Sequence, residues 1–277
     1  DEKFIAQLRS QFGLDRSLPE QMAIYMKGVA TLDLGYSYRQ QMPVADLIFQ
    51  RLPATLLLTM SAFVISLVLG TLAGVLASAR VGTVADSIIS TLALIFYATP
   101  LFWVALMAVI LFSVTLDWLP GFGYETVGAG YTGLRRALDI ASHLVLPATT
   151  LGLFFMAVYM RMTRASMLEV SRLDFVKTAR AKGLAPRAIL WRHTFRNAML
   201  PVVTLAGVQI GHILGGSILV ETVFGWPGLG RLVFDALLQR DLNLLLGILF
   251  ISSVVVVLAN LAVDLLYGLL DPRIVHK

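Results

Sequence analysis

Side chains able to do chemistry are few and scattered in this 277-residue chain. The four histidines, His143, His193, His212 and His276, form no metal-ligand pattern with one another or with acids. There is no cysteine, which excludes a disulfide, a thiolate nucleophile and a Cys-based metal site. No Gly-Lys dipeptide occurs, so the lysine-bearing phosphate loop is absent, and no serine occupies a Gly-x-Ser-x-Gly elbow. Ser217 and His212 share one apolar run, but their spacing puts them only loosely on one helical face. No catalytic residue, metal site or cofactor of the chain's own is expected.

The densest chemistry is charge. Between Arg161 and Leu200 stand nine Lys/Arg against two acids. From Asp174 to Pro201 the run DFVKTARAKGLAPRAILWRHTFRNAMLP reads as helix, turn, helix. Asp174 suits the cap of a helix starting at Phe175, Lys182 falls in its last turn, and Gly183 supplies the left-handed position that ends it. Pro186 suits the first turn of the next helix. A helix of about two turns is marginal in water without something to pack on. Phe175, Val176 and Ala179 offer a small apolar face flanked by Lys177, Arg180 and Lys182. Two readings follow: a knob for a groove on another protein, or a basic anchor for anionic lipid headgroups.

The elements that position this segment are membrane helices. With 57% apolar residues and a mean hydropathy of +0.79, gathered into long runs, the chain reads as a polytopic, all-helical membrane protein. A net charge of +5 would suggest nucleic acid in a soluble chain, but here the cations sort by membrane side and no nucleic-acid partner is expected. Five spans are predicted: 54–79, with Gly70-x-x-x-Gly74 as a close-packing signal; 87–116, long enough to tilt or bend at Pro100; 140–160; 198–220; and 242–263. With the basic loop inside, Arg80, Arg273 and Lys277 lie inside with it, twelve cations in all. The two opposite loops, 117–139 and 221–241, hold four. The C-terminus is then cytoplasmic and residue 1 external.

Residues 1–51 read as an external segment of three weakly amphipathic stretches. Phe4, Leu8 and Phe12 mark the first. Ser17-Leu18-Pro19-Glu20 is a capping box opening the second, and Pro43 opens the third, leading to Arg51 at the membrane border. So poor in core formers, the segment is expected to pack on the spans, which occupy the unit from 52 to 277.

Two further stretches are unusual. In the fourth span Gly207, Gly211 and Gly215 recur on one face, with Gln209 and His212 in the same run. These read either as a packing stripe with interhelical hydrogen bonds or as the wall of a translocation path. Asn260 and Asp264, near the end of the last span, read as residues snorkelling to the interface. From Phe224 to Asp241 a Pro227-Gly228 turn precedes an amphipathic helix carrying Leu232, Val233, Leu237 and Leu238, expected at the outer surface.

The runs FVKTARAKGL and WRHTFRNAMLPVVT resemble the cytoplasmic coupling loop of membrane subunits of ATP-binding-cassette importers, specifically the oligopeptide/dipeptide permease family. LGYSYRQQMPVADLIFQRLPATLLL, VETVFGWPGLGRLVFDALLQRDLNLLLG and LLDPRI resemble further segments of that family, in the same order. In most importers the loop reads Glu-Ala-Ala, three residues, then Gly. Aligned on Gly183, this chain has Lys177, Thr178 and Ala179 there, and only the last matches.

The resemblance implies a type I importer transmembrane fold with one more helix before residue 1, and an ATPase-coupling helix over Asp174, Phe175, Val176, Lys177, Thr178, Ala179, Arg180, Ala181, Lys182 and Gly183 within a loop of residues 164–200. It implies an external gate or docking site around Phe224, Trp226, Pro227 and Arg231. Implied partners are a homologous second permease subunit, two cytoplasmic ATPase subunits binding ATP and Mg, a periplasmic or lipid-anchored substrate-binding protein, and lipid of a bacterial inner membrane. The implied cargo is di- or oligopeptides, with nickel complexes, glutathione or other small solutes as alternatives. An ion-gradient carrier is the competing class, but no internal repeat and no mid-span acid supports it.

Overall fold

The computed structural model describes residues 17–270, with backbone alone at 264 and 266–270. The stretch marked by Phe4, Leu8 and Phe12, and the tail with Arg273, His276 and Lys277, lie outside the described residues. The elements are α1 (Leu18–Ala30), a small hairpin of β1 (Tyr36–Ser37) and β2 (Met42–Pro43), α2 (Val44–Ala79), α3 (Val84–Ala98), and α4 (Leu101–Ala108), which a π-helical stretch continues over Val109–Thr115. Then come α5 (Gly133–Val170), α6 (Asp174–Ala181), α7 (Pro186–Phe224, π-helical over Ile189–Phe195), α8 (Leu229–Gln239) and α9 (Leu242–Leu270). Among the described residues α2, α5, α7 and α9 are each long and apolar enough to cross a membrane, and α3 with α4 makes a fifth candidate.

That fifth candidate is not one helix. It bends by 101° at Thr99 and Pro100. Proline has no N–H to give to a helix and forces its predecessor out of helical geometry; Thr99 is extended at φ −81°, ψ 135°. The expected long second span is therefore a broken one. Conversely, α2 runs from Val44 through Arg51 into the first span without interruption, so no structural joint falls at residue 51.

The bundle is organised on α2 against α5. A Cβ at Gly70 would stand 2.6 Å from the Met156 carbonyl oxygen, and one at Gly74 would stand 2.7 Å from that of Met160. Gly152 answers from α5: its Cβ would meet Ile65 of α2 at 2.7 Å. Backbone therefore lies on backbone, as the Gly-x-x-x-Gly signal predicts. Around this seam Leu58, Ala62, Leu151, Phe155, Ile213 and Trp226 form the largest buried cluster. A second cluster, with Val44, Ile48, Leu232, Leu244 and Ile248, joins α2, α8 and α9.

The N-terminal segment packs less than expected. Glu20 does accept the Ser17 N–H at 3.2 Å, closing the predicted N-terminus of α1. Yet α1 buries no residue, and Met22, Ile24 and Met26 stay exposed. The hairpin makes the attachment instead: Leu34 is buried, the buried Ser37 hydroxyl donates to Asp241, and Asn243 donates to the Tyr36 carbonyl at 3.2 Å.

Candidate functional site

At one end of the bundle the basic loop folds as a compact helical hairpin. Its short helix α6 begins one residue earlier than predicted. Leu173, extended at φ −70°, ψ 152°, is the N-cap, and Asp174 is the first helical residue, its carboxylate paired with Lys177 Nζ at 2.8 Å in solvent. Asp174 thus supports the helix dipole from the first turn and does not cap it. The stop is as predicted: Gly183 is left-handed at φ +76°, and its N–H donates to the Arg180 carbonyl at 2.9 Å. Pro186 starts α7.

The apolar face divides. Val176 and Ala179 are buried inside the chain against Ile189, with Val170 beside them, and do not face outward. The partner that a two-turn helix needs is the start of α7. Phe175 remains 42% exposed, with Lys177, Thr178, Arg180, Ala181 and Lys182 exposed around it. The outward knob is therefore one phenylalanine within a cationic rim.

Elsewhere on α5 lies a pair that sequence reading passed over. Arg164, on the stretch of α5 leading to α6, grips Asp86 with both arms: Nε to Oδ1 at 2.8 Å and Nη2 to Oδ2 at 2.7 Å. Asp86 also accepts the Gly82 N–H at 3.1 Å. A bidentate fork fixes direction as well as distance, so the α2–α3 turn is held to α5. The sequence signal was an acid in the first turn of α3; nothing in the spacing pointed to a partner 78 residues away.

At the opposite end a buried carboxylate organises the closure. Glu221, fully buried, accepts the Thr55 hydroxyl at 2.8 Å and the Arg231 N–H at 3.0 Å. Thr55 Oγ1 in turn accepts the Leu229 N–H at 2.7 Å. Together they satisfy the free N–H groups at the start of α8, whose own N-cap is a glycine without a side chain to offer. Gly228 and Gly230 are required by this approach: a Cβ at Gly228 would lie 2.4 Å from the Glu221 carboxyl, and one at Gly230 would lie 2.6 Å from Ile218 Cα. Glu221 was not singled out from sequence, although it stood within the quoted VETVFGWPGLGRL run.

Two of the four residues expected to form an external docking site are inside the molecule. Phe224 and Trp226 are buried; Trp226 Nε1 donates to the Ala54 carbonyl at 2.8 Å, and Tyr124 meets its ring edge-on at 4.8 Å. Indole is too large to leave exposed at low cost once it has both an apolar cage and an acceptor. Pro227 is half-buried, and Arg231 stands exposed with its guanidinium donating to the Gly225 carbonyl at 3.0 Å.

The glycine stripe of α7 faces α9. A Cβ at Gly207 would touch Val263 at 3.2 Å and one at Gly211 would touch Val256 at 3.3 Å, while nothing lies near Gly215. The two helices thus separate toward Gly215, where a largely apolar cavity of about 450 Å³ opens between α2, α7, α8 and α9, with Ser217, Ser252 and Ser253 among its walls. Gln209 is buried and His212 is exposed. No group of three or more His, Asp or Glu able to hold a metal occurs among the described residues.

Spans joined at one end by a cationic hairpin and closed at the other by a buried polar lock define a polytopic membrane protein of the transport class. Comparison with known proteins names the family: a model described as "Binding-protein-dependent transport system inner membrane component" matches residues 66–276. The dipeptide transport permease DppB of Escherichia coli K12 is 40% identical over 291 residues, spanning 98% of this chain and 85% of that protein. DppB of Alkalihalophilus pseudofirmus is 37% identical over 286 residues with the same coverages, and the di/tripeptide permease DppB of Pseudomonas aeruginosa UCBPP-PA14 is 38% identical over 293, covering 100% and 87%.

Among solved structures, an inward-facing form of the methionine ABC transporter MetNI superposes with a TM-score of 0.64 at 18% identity, covering 81% of this chain and 96% of that one. An amino acid ABC transporter superposes at 0.54 and 16% identity, covering 82% and 94%. The chain belongs to the family of inner-membrane components of binding-protein-dependent transport systems, and its fold is that of the membrane subunits of type I ATP-binding-cassette importers.

Proposed function

We propose that this chain is one of two permease subunits of a bacterial importer of di- or oligopeptides, coupled through α6 to cytoplasmic ATPase subunits. The observation that carries the reading is identity of 37–40% to dipeptide permeases along nearly the whole chain. In this reading the basic helical hairpin and the C-terminus are cytoplasmic, and α1, the β1–β2 hairpin and α8 are periplasmic, in keeping with the excess of cations on the side of the basic loop. ATP and Mg are bound by the ATPase partners, and this chain holds no catalytic residue. Phe175 enters a groove on one ATPase, and because α6 is packed on α7 and follows α5 after a three-residue turn, its movement is passed to both spans.

ATP biases the bundle only through contacts that differ between inward- and outward-open states. The outer closure around Glu221, Thr55 and Trp226 is the natural element to open. Substrate-binding protein then meets the periplasmic rim at exposed groups, Arg231, Phe234 and Leu237, with Trp226 acting from within as the closure. A homologous subunit completes the path, and the cavity beside Gly215 belongs to it or to the subunit interface.

The test is ATP hydrolysis by the reconstituted complex with its binding protein, measured against dipeptides, longer peptides, glutathione and chelated nickel. Stimulation by one peptide class supports the reading. Stimulation by nickel or glutathione alone overturns the peptide assignment and keeps the importer. Failure of any ATPase subunit to co-purify, with no stimulation, overturns the importer.

A further inference from the structure

We propose that the cavity between the coupling hairpin and the adjoining ends of α2 and α5 binds an anionic phospholipid, its phosphate held between Arg180 and Arg187. The inference rests on the topology proposed above, which sets this cavity at the cytoplasmic border of the membrane. The cavity measures about 610 Å³ and combines two kinds of wall. One is apolar, with Met167, Leu168, Ile189 and Leu190; the other carries the two arginines. Neither arginine takes part in any of the three Lys/Arg ion pairs among the described residues, which join Arg136 to Glu125, Arg164 to Asp86 and Lys177 to Asp174.

Two uncompensated cations over an apolar wall match an amphiphile with an anionic head. A free phosphate would satisfy the arginines and leave the wall wet, and an uncharged lipid would do the reverse. The cavity also has acceptors for a hydroxyl-bearing headgroup. Ser78 and Ser171, both among its walls, donate their protons to the carbonyls of Val75 and Leu168 at 2.8 Å, so each hydroxyl keeps only acceptor capacity for a ligand. Phosphatidylglycerol supplies the phosphate charge, the hydroxyl donors and the acyl chain together.

The cavity touches three elements whose relative positions set coupling. Its walls come from the end of α2, the end of α5 and both arms of the hairpin, so a bound lipid stiffens the hairpin against the spans.

The experiment is native mass spectrometry of the complete transporter in mild detergent, titrated with phosphatidylglycerol, phosphatidylcholine or inorganic phosphate. Expected is retention of one phosphatidylglycerol per copy of this chain over phosphatidylcholine, weakened about fivefold by Arg187→Gln and restored by Arg187→Lys. Equal retention of the two lipids, or unchanged retention in Arg187→Gln, overturns the proposal. So does equal occupancy by inorganic phosphate, which would make the site a simple anion site. Because the readout is lipid retention, these outcomes are independent of whether peptides stimulate hydrolysis.

Discussion

Thr55 and Glu221, 166 residues apart, share a hydrogen bond of 2.8 Å inside the protein, and between them they accept backbone N–H groups from the first turn of α8. A helix that starts on glycines is thus capped from two other helices. The arrangement ties α2, α7 and α8 into one unit and holds Trp226 in its cage.

Removing the hydroxyl leaves a buried carboxylate and a buried N–H short of partners. Thr55→Val, close to isosteric, is expected to destabilise the subunit by about 1–3 kcal/mol. Glu221→Gln, which keeps an acceptor, is expected to cost less. Thermal unfolding midpoints in detergent measure both; an unchanged midpoint for Thr55→Val would remove the closure from any structural role.

Two glycines on the Glu221 side of the bundle should respond differently to the same added methyl. Gly228→Ala places a Cβ 2.4 Å from the Glu221 carboxyl and is expected to lower both folded yield and transport. Gly215→Ala meets nothing and is expected to fold normally. Side-by-side yields from membrane preparations decide the matter, and equal yields would mean that the α7–α8 turn relaxes freely.

The Asp86 and Arg164 fork predicts pairwise behaviour. Asp86→Asn and Arg164→Gln should each lower the unfolding midpoint and the stimulation of ATP hydrolysis by binding protein. The double change Asp86→Asn with Arg164→Gln should cost less than the two added together, because the buried Asp86 carboxylate is then not left without its partner. Strict additivity would show that the two groups do not act as a pair.

If α6 couples to an ATPase as proposed, Phe175 and Ala179 should separate coupling from folding. Phe175→Asp changes an exposed side chain and is expected to leave the unfolding midpoint within about 0.5 kcal/mol of wild type while abolishing ATPase stimulation. Ala179→Asp buries a charge against Ile189 and is expected to lose both. In this chain without native cysteine, maleimide should label Phe175→Cys readily and Ala179→Cys slowly. Equal labelling would contradict the orientation of α6.

Much of this molecule was legible in its sequence because the solvent of a membrane protein writes long, one-sided rules. Four apolar runs became helices that cover the predicted spans, since a backbone in lipid must satisfy its own hydrogen bonds. Gly70 and Gly74 marked the central helix contact because only glycine permits that approach, and Gly183 and Pro186 marked the turn of the hairpin because each restricts its own backbone. What the tertiary structure decided depended on partners distant in sequence. Spacing could not say that Val176 and Ala179 would turn inward to Ile189, and it left tilt and bend open for the span with Pro100, which breaks there where Pro53, Pro147 and Pro201 sit within continuous helices. Nor could it foresee that Trp226 would be caged and that Asp86 and Glu221 would find Arg164 and Thr55. A buried polar side chain without a donor or acceptor is costly, and for Asp86 and Glu221 that partner exists only once the helices have packed.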